Sequence, residues 1–230
     1  MPIKLGIVPV TPFEQNCSIL VCQETGDAAV VDPGGDIEKI LAGVKQMGGR
    51  VKKILLTHGH LDHCAAAKDL ADQLAVPIEG PQIDERFWID QLPEQTVRFG
   101  FGHAKVFEPD RWLNDGDHVQ VGNVDLEVFH CPGHTPGHVV FFKTPVIGQH
   151  VRQGEAIAVI ESVKAASDIH APVSGEIVAL NGEVDAAPEL VNEKPYAVWL
   201  FKIKPSSDDS LASDLKQLLS LEQYTSGPGA

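Results

Sequence analysis

Three histidines and a carboxylate are packed into one short stretch, Thr57-His58-Gly59-His60-Leu61-Asp62-His63. Imidazole nitrogens and carboxylate oxygens are ligands for zinc, and a loop at a strand end can aim several of them at one point. A second cluster, His130-Cys131-Pro132-Gly133-His134-Thr135-Pro136-Gly137-His138, follows, with His134 lying 71 residues after His63 (134 − 63). Its Gly and Pro residues permit the tight turn that would bring an imidazole back to the first cluster. One isolated histidine reads as an ordinary loop residue. Two Gly-containing histidine clusters, each after a strand, read as two parts of one metal site. His103, His118, His150 and His170 lack such surroundings and read as surface or incidental residues. Cys131 reads as a small buried residue beside a turn rather than a ligand. Cys17 and Cys22 are spaced too widely for the usual metal-binding cysteine pair.

The elements that must position these clusters follow from periodicity. KLGIVPV, SILVCQ and DAAVVDPGG alternate apolar and polar residues and predict strands. Asp36 is placed to cap a helix whose Ile37, Ile40, Leu41 and Val44 share one face, and Gly48-Gly49 ends it. VKKILLTH predicts a short buried strand, and HLDHCAAAKDLADQLA a second helix. This strand-helix alternation implies crossover units in a layered α/β fold. Residues 81–112 read as an irregular, aromatic-rich segment, either a cover over the site or loop packing. HVQVG, VDLEVFH and HVVFFK return to strand. Beyond residue 145 come short strands with Gly, Asn and Pro turns, then the amphipathic helix DSLASDLKQLLSLEQY and the tail TSGPGA. A domain boundary is expected near 143–147, giving domains 1–143 and 144–230.

Composition narrows the functional classes. The 230 residues carry 18 Lys+Arg against 32 Asp+Glu, a net charge of −14. Both halves are acidic, which argues against nucleic-acid or anionic-membrane partners. No apolar run approaches the roughly 20 residues of a membrane helix. The N-terminal residues lack the pattern of a signal peptide. The four cysteines are then expected to be reduced thiols in the cytoplasm.

THGHLDH, preceded by VVDPGG and followed by HCPGHTPGH, resembles the metallo-β-lactamase superfamily. FWIDQLPEQ, FGF and RWLNDGD extend the resemblance to compact, glyoxalase-II-like hydrolases over residues 3–142. The resemblance implies an α/β (α+β) fold, the N-terminal half of an αββα sandwich. It implies a zinc on His58, His60 and His134, a second on Asp62 and His63, Asp32 supporting the metal loop, and a structural His138. Iron or manganese would suit the same ligand types. The implied reaction is hydrolysis of a small hydroxyacylglutathione-type thioester by metal-activated water, with His60 and Asp62 at the catalytic centre. The family's two later ligands, an Asp in a Gly-Asp segment and a His in a Gly-His-Gly segment, have no counterpart after Gly137. The remaining three histidines would still hold one zinc with an open position.

Residues 148–204, with ESVKAASD at 161–168, resemble the glycine cleavage system H protein. This implies a mostly-β, lipoyl-carrier-like (barrel-sandwich hybrid) segment with a terminal helix, and lipoate attached to Lys164. Implied partners are lipoate ligase and the glycine cleavage enzymes. The strands that precede this segment in that family are not recognised, so both halves read as incomplete. GHVVFFKTPVIGQHV fits the first family up to Phe142 and the second from about Val139. The chain therefore reads as a fusion. Its function is a metal-dependent thioester hydrolase, a lipoyl carrier, or a chimera with neither activity. Open sheet edges at such a join must pair within the chain or in a homodimer.

Overall fold

The computed structural model describes residues 3–143, 145–162, 165–186, 190–194, 197–220 and 223. They form two compact units: Met1–Lys143 with Val159–Asp168, and Thr144–Ala158 with Ile169–Ala230. No helix among the described residues is long and apolar enough to cross a membrane.

The first unit opens with strands β1 (Ile3–Val10), β2 (Gln15–Cys22) and β3 (Asp27–Val31), paired antiparallel in turn. Helix α1 (Ile37–Met47) crosses over to β4 (Arg50–Leu55), which lies parallel to β3. Helices α2 (Leu61–Cys64) and α3 (Ala67–Leu74) cross to β5 (Ile78–Glu79), parallel to β4. Alternation along each strand splits the apolar side chains between two cores. Ile19, Val21, Val30 and Ile54 pack with Ile40, Val44 and Leu70 of the helices. Leu20, Ala29, Val31 and Leu55 face the other way, onto a second sheet. Fully burying such a Leu, Ile or Val contributes about 1.5–3 kcal/mol.

Helices α4 (Arg86–Asp90) and α5 (Leu92–Phe99) follow, and then β6 (His118–Val121), β7 (Val124–His130) and β8 (Val139–Lys143). These three pair antiparallel and turn Val119, Val121, Leu126, Val128, Val139 and Phe141 inward. The second sheet does not end at β8. After β9 (His150–Val151), the chain forms β10 (Ala156–Ser162) and β11 (Ala165–His170), which extend it in the order β11-β10-β8-β7-β6. β10 runs antiparallel to β8, with Val159 opposite Lys143 and Ile160 opposite Phe142. The β8 edge is thus paired within the chain.

In the second unit, β12 (Gly175–Leu180) pairs with β9 and with β13 (Phe201–Pro205). Val151, Ile157, Ala171 and Ile177 form its core, with Leu180, Phe201 and Ile203 against them. Short helices α6 (Gly182–Ala186) and α7 (Leu190–Glu193) lie between β12 and β13. Ser207 and Ser210 close a capping box on α8 (Asp208–Leu215).

Some expectations change. Asp36 is the N-cap residue of α1, as expected, but its side chain makes no capping bond; the carboxylate accepts the Thr11 N–H at 2.9 Å instead. The helix expected over HLDHCAAAKDLADQLA is two helices, broken at Ala65-Ala66. The segment 81–112 holds a 3-10 turn and two helices rather than irregular chain. The terminal helix stops at Leu215, and the TSGPGA tail lies outside the described residues.

Candidate metal centre

The loop after β4 begins at Thr57, whose backbone N–H donates to Asp32 Oδ1 at 2.8 Å. Asp32 ends β3 in the left-handed region, with φ 54, and is buried. Its Oδ2 accepts the Thr57 hydroxyl and lies 2.9 Å from His63 Nδ1. The Thr57 hydroxyl oxygen lies 2.9 Å from His58 Nδ1. With its proton given to Asp32, that hydroxyl is the acceptor, so His58 carries its hydrogen on Nδ1. His58 Nε2 then presents a lone pair, and His63 Nε2 likewise, since its Nδ1–H is held by Asp32. Carboxylates and hydroxyls behind metal-binding histidines fix the tautomer in this way.

The HTPGH loop enters from between β7 and β8. It is closed by the Cys131 N–H to His138 O at 2.8 Å, and Val139 N–H donates to Thr57 O at 2.9 Å, tying it to the first loop. The rings of His58, His60 and His134 then form a near-equilateral triangle. Their centroids are 4.8, 4.9 and 4.8 Å apart and the planes cross at 79–88°. His60 Nδ1 and His134 Nε2 lie 3.2 Å apart. His58 Nε2 is buried with no hydrogen-bond partner. One donor atom from each of the three lies within 4.8 Å of the others, and Asp32, His58 and His63 form a second such group. Tetrahedral Zn–N bonds of about 2.0–2.1 Å set nitrogens roughly 3.3 Å apart. An orphaned buried nitrogen and two imidazole nitrogens facing each other fit a divalent cation.

Electrostatics favours the neutral, ligating form of His58 and His60. Burial pushes the His58 pKa strongly down, and His63, His138, His60 and His134 push it further. Burial and His134 lower His60. For His63, burial opposes the charge, but the Asp32 hydrogen bond and the Asp32 and Asp62 charges outweigh it and raise the pKa.

Asp62 Oδ2 lies 3.7 Å from His63 Nε2, and its side chain is 24% exposed. It is in neither donor group. His138 is buried, with its ring 5.3 Å from that of His58. His130 turns away to Pro136 O at 2.9 Å. Cys131 belongs to neither donor group. Lys164 lies outside the described residues.

Two neighbours have no role assigned from the sequence, although Trp88 lies in the FWIDQLPEQ stretch. Trp88 of α4 stands edge-on to His60, with centroids 4.8 Å apart. Glu85 is fully buried, and its carboxylate accepts the N–H of Gly59 at 2.8 Å and of Gly137 at 2.7 Å. Both come from the segment read as irregular, and Glu85 stands in no motif there.

The metallo-β-lactamase superfamily model matches residues 10–143. The glycine cleavage H-protein model matches residues 105–227. The chain belongs to both families. The matches overlap over 105–143, the stretch of β6, β7 and β8, so the likeness to the second family begins well upstream of Val139.

Hydroxyacylglutathione hydrolase GloC of Haemophilus influenzae is 41% identical over 61% of this chain and 66% of its own length. The glycine cleavage system H protein of Polynucleobacter necessarius is 79% identical over 29% of this chain and 45% of its own. The chain thus spans two thirds or less of these relatives. Among solved structures, TTHA1623 in a di-iron-bound form is 30% identical with a TM-score of 0.53, over 60% of this chain and 66% of that one. The first unit has the metallo-β-lactamase fold over its N-terminal part.

Proposed function

We propose that the first unit is a metal-dependent thioester hydrolase that holds a single zinc on His58, His60 and His134. The observation that carries this is the triangle of imidazoles around a buried, unpartnered His58 Nε2. A zinc with three protein ligands keeps an open position, where it supplies Lewis acidity toward a carbonyl and lowers the pKa of water. Iron and manganese are the competing metals. His60 orients the reacting carbonyl, with Trp88 restricting its ring. Asp62 accepts the proton of the attacking water. Hydrolysis adds that water across the C–S bond, so the acyl group leaves as a carboxylate and the sulfur as a thiol. Asp62 and His63 would be part of a second metal site; among the described residues His63 falls in a donor group with Asp32 and His58, and Asp62 falls in none.

Purified protein, with and without added zinc, would be given a hydroxyacylglutathione thioester and thiol release followed. Zinc-dependent release that disappears in His58→Ala supports the reading. Release unaffected by chelation and by His58→Ala overturns it.

A second activity rests on the H-protein match and the ESVKAASD segment. Lys164 carries lipoate and serves the glycine cleavage enzymes. Incubation with lipoate ligase, ATP and lipoate should add one lipoyl mass to the chain and none to Lys164→Ala. An unmodified wild-type chain sinks this reading.

A further inference from the structure

The two histidine loops come from distant parts of the chain, yet their imidazoles must meet within a fraction of an ångström. Something must set the gap between them. The Val139 N–H to Thr57 O bond ties the loop bases, and nearer the imidazoles the Glu85 side chain bonds to both loops. Its Oε2 accepts the N–H of Gly59, the residue between His58 and His60. Its Oε1 accepts the N–H of Gly137, three residues past His134. The backbone repeats the link, with Gln82 N–H donating to Gly137 O at 3.2 Å and Glu85 N–H donating to Gln82 O at 3.0 Å. Fit is tight on both sides. A Cβ on Gly137 would lie 2.8 Å from Glu85 Cγ, and one on Gly59 would lie 3.2 Å from Glu85 Oε2 and 2.8 Å from Trp88 Cβ. The clasp accounts for Gly59 in the first histidine motif and Gly137 in the second.

We propose that Glu85 is a positioning residue that fixes the spacing of the two histidine loops and offsets the charge of the cation they bind. This rests on the three-histidine reading of the site. Burying a carboxylate is costly unless its oxygens are hydrogen-bonded, and charge-assisted bonds of 2.7–2.8 Å meet that need. Three neutral imidazoles leave a divalent cation uncompensated. A buried anion one peptide away from both loops lowers that excess without occupying a coordination position. A glutamine cannot replace it, because its amide nitrogen would face one of the two N–H donors.

The test is cobalt(II) titration of the full chain, read by the visible ligand-field bands of the bound ion. Outer partners of metal ligands typically change affinity by about 10–100-fold. Glu85→Gln should weaken cobalt binding by that factor and alter the band pattern. Glu108→Gln, an exposed site in the same segment paired with Arg86, should change neither. Wild-type bands with unchanged affinity in Glu85→Gln overturn the inference and leave the metal site standing. Absence of bands in the wild type overturns the site itself, and the inference with it. A second measurement needs no variant. In the metal-free wild type, the amide protons of Gly59 and Gly137 should exchange slowly, and fast exchange at both overturns the clasp.

Discussion

HCPGHTPGH contains two glycines, Gly133 and Gly137, each preceded by proline and followed by histidine. From sequence they are equivalent. In the structure they are opposites. A Cβ on Gly133 meets nothing within 4 Å, whereas one on Gly137 falls 2.8 Å from Glu85 Cγ and 2.9 Å from both Gln82 O and Glu85 N. Neither residue has a positive φ, so an alanine is not strained by the backbone itself. Replacing glycine by alanine at a compatible position stabilises by about 0.4–1 kcal/mol through the unfolded chain. Overpacking a tight site costs about 1–3 kcal/mol. Gly133→Ala should therefore be neutral or slightly stabilising. Gly137→Ala should be destabilising, since two of its three contacts are backbone atoms that cannot swing away. A difference of about 1–3 kcal/mol between the variants corresponds to roughly 2–12 °C in Tm for a unit of this size. Thermal unfolding followed by the fluorescence of Trp88 and Trp112 measures it. Zinc affinity should fall in Gly137→Ala and hold in Gly133→Ala. Equal Tm and equal affinity in the two variants would refute the clasp geometry.

Removing bound metal should lower the Tm of the first unit, because a ligand present at 100 times its Kd stabilises by about 2.7 kcal/mol; a chelator that leaves Tm unchanged contradicts a bound metal. Thr57→Val removes the acceptor that fixes the His58 tautomer, and zinc affinity should drop by about 10–100-fold. Competition against a chromophoric chelator reads that loss. Metal-free protein should lose stability as pH falls from 7.5 to 5.5. His58, His60 and His138 have pKa values lowered in the fold below the ordinary 6.5, so their contribution is full above 6.5 and declines below it. For the two buried ones, His58 and His138, the decline is at most about 1.4 kcal/mol per pH unit each. His63 is raised, so its contribution is full below 6.5 and is lost only as pH rises through its folded value. A metal-free Tm that is higher at pH 5.5 than at 7.5 would contradict the burial assignment.

The strands of the first unit were legible because period-two alternation is a property of consecutive residues: Ile19 and Val21 face one core and Leu20 and Cys22 the other. The histidine loops were legible for a similar reason, since His58, His60 and His63 are close in sequence and chemically distinctive. Glu85 was not. Its importance lies in two backbone N–H groups, and any residue type supplies those; only the fold says which carboxylate reaches them. Helices α4 and α5 were missed because they are five and eight residues long, too short for a helical period to show. Asp36 misled in the opposite sense. It stands where a cap belongs, but Thr11, which is distant in sequence, takes its carboxylate.

The join at β8 shows how differently a sheet and a metal site constrain a sequence. A sheet accepts a neighbour on generic terms, namely free backbone N–H and C=O groups and a compatible apolar alternation. β10 supplies the backbone pairing although it lies in the H-protein match beyond the superfamily match, which ends at residue 143. A metal centre has no generic terms. It requires particular atoms, and after Gly137 the sequence has no Gly-Asp pair and only three further histidines, His138, His150 and His170. His150 and His170 fall in the second unit. The backbone of the second sheet is therefore extended while the ligand set is not. Three imidazoles remain, fixed by Thr57, Asp32 and Glu85, all of which precede the join. Every residue of the proposed single-cation site lies within the superfamily match, which ends at residue 143, so the join leaves that ligand set whole.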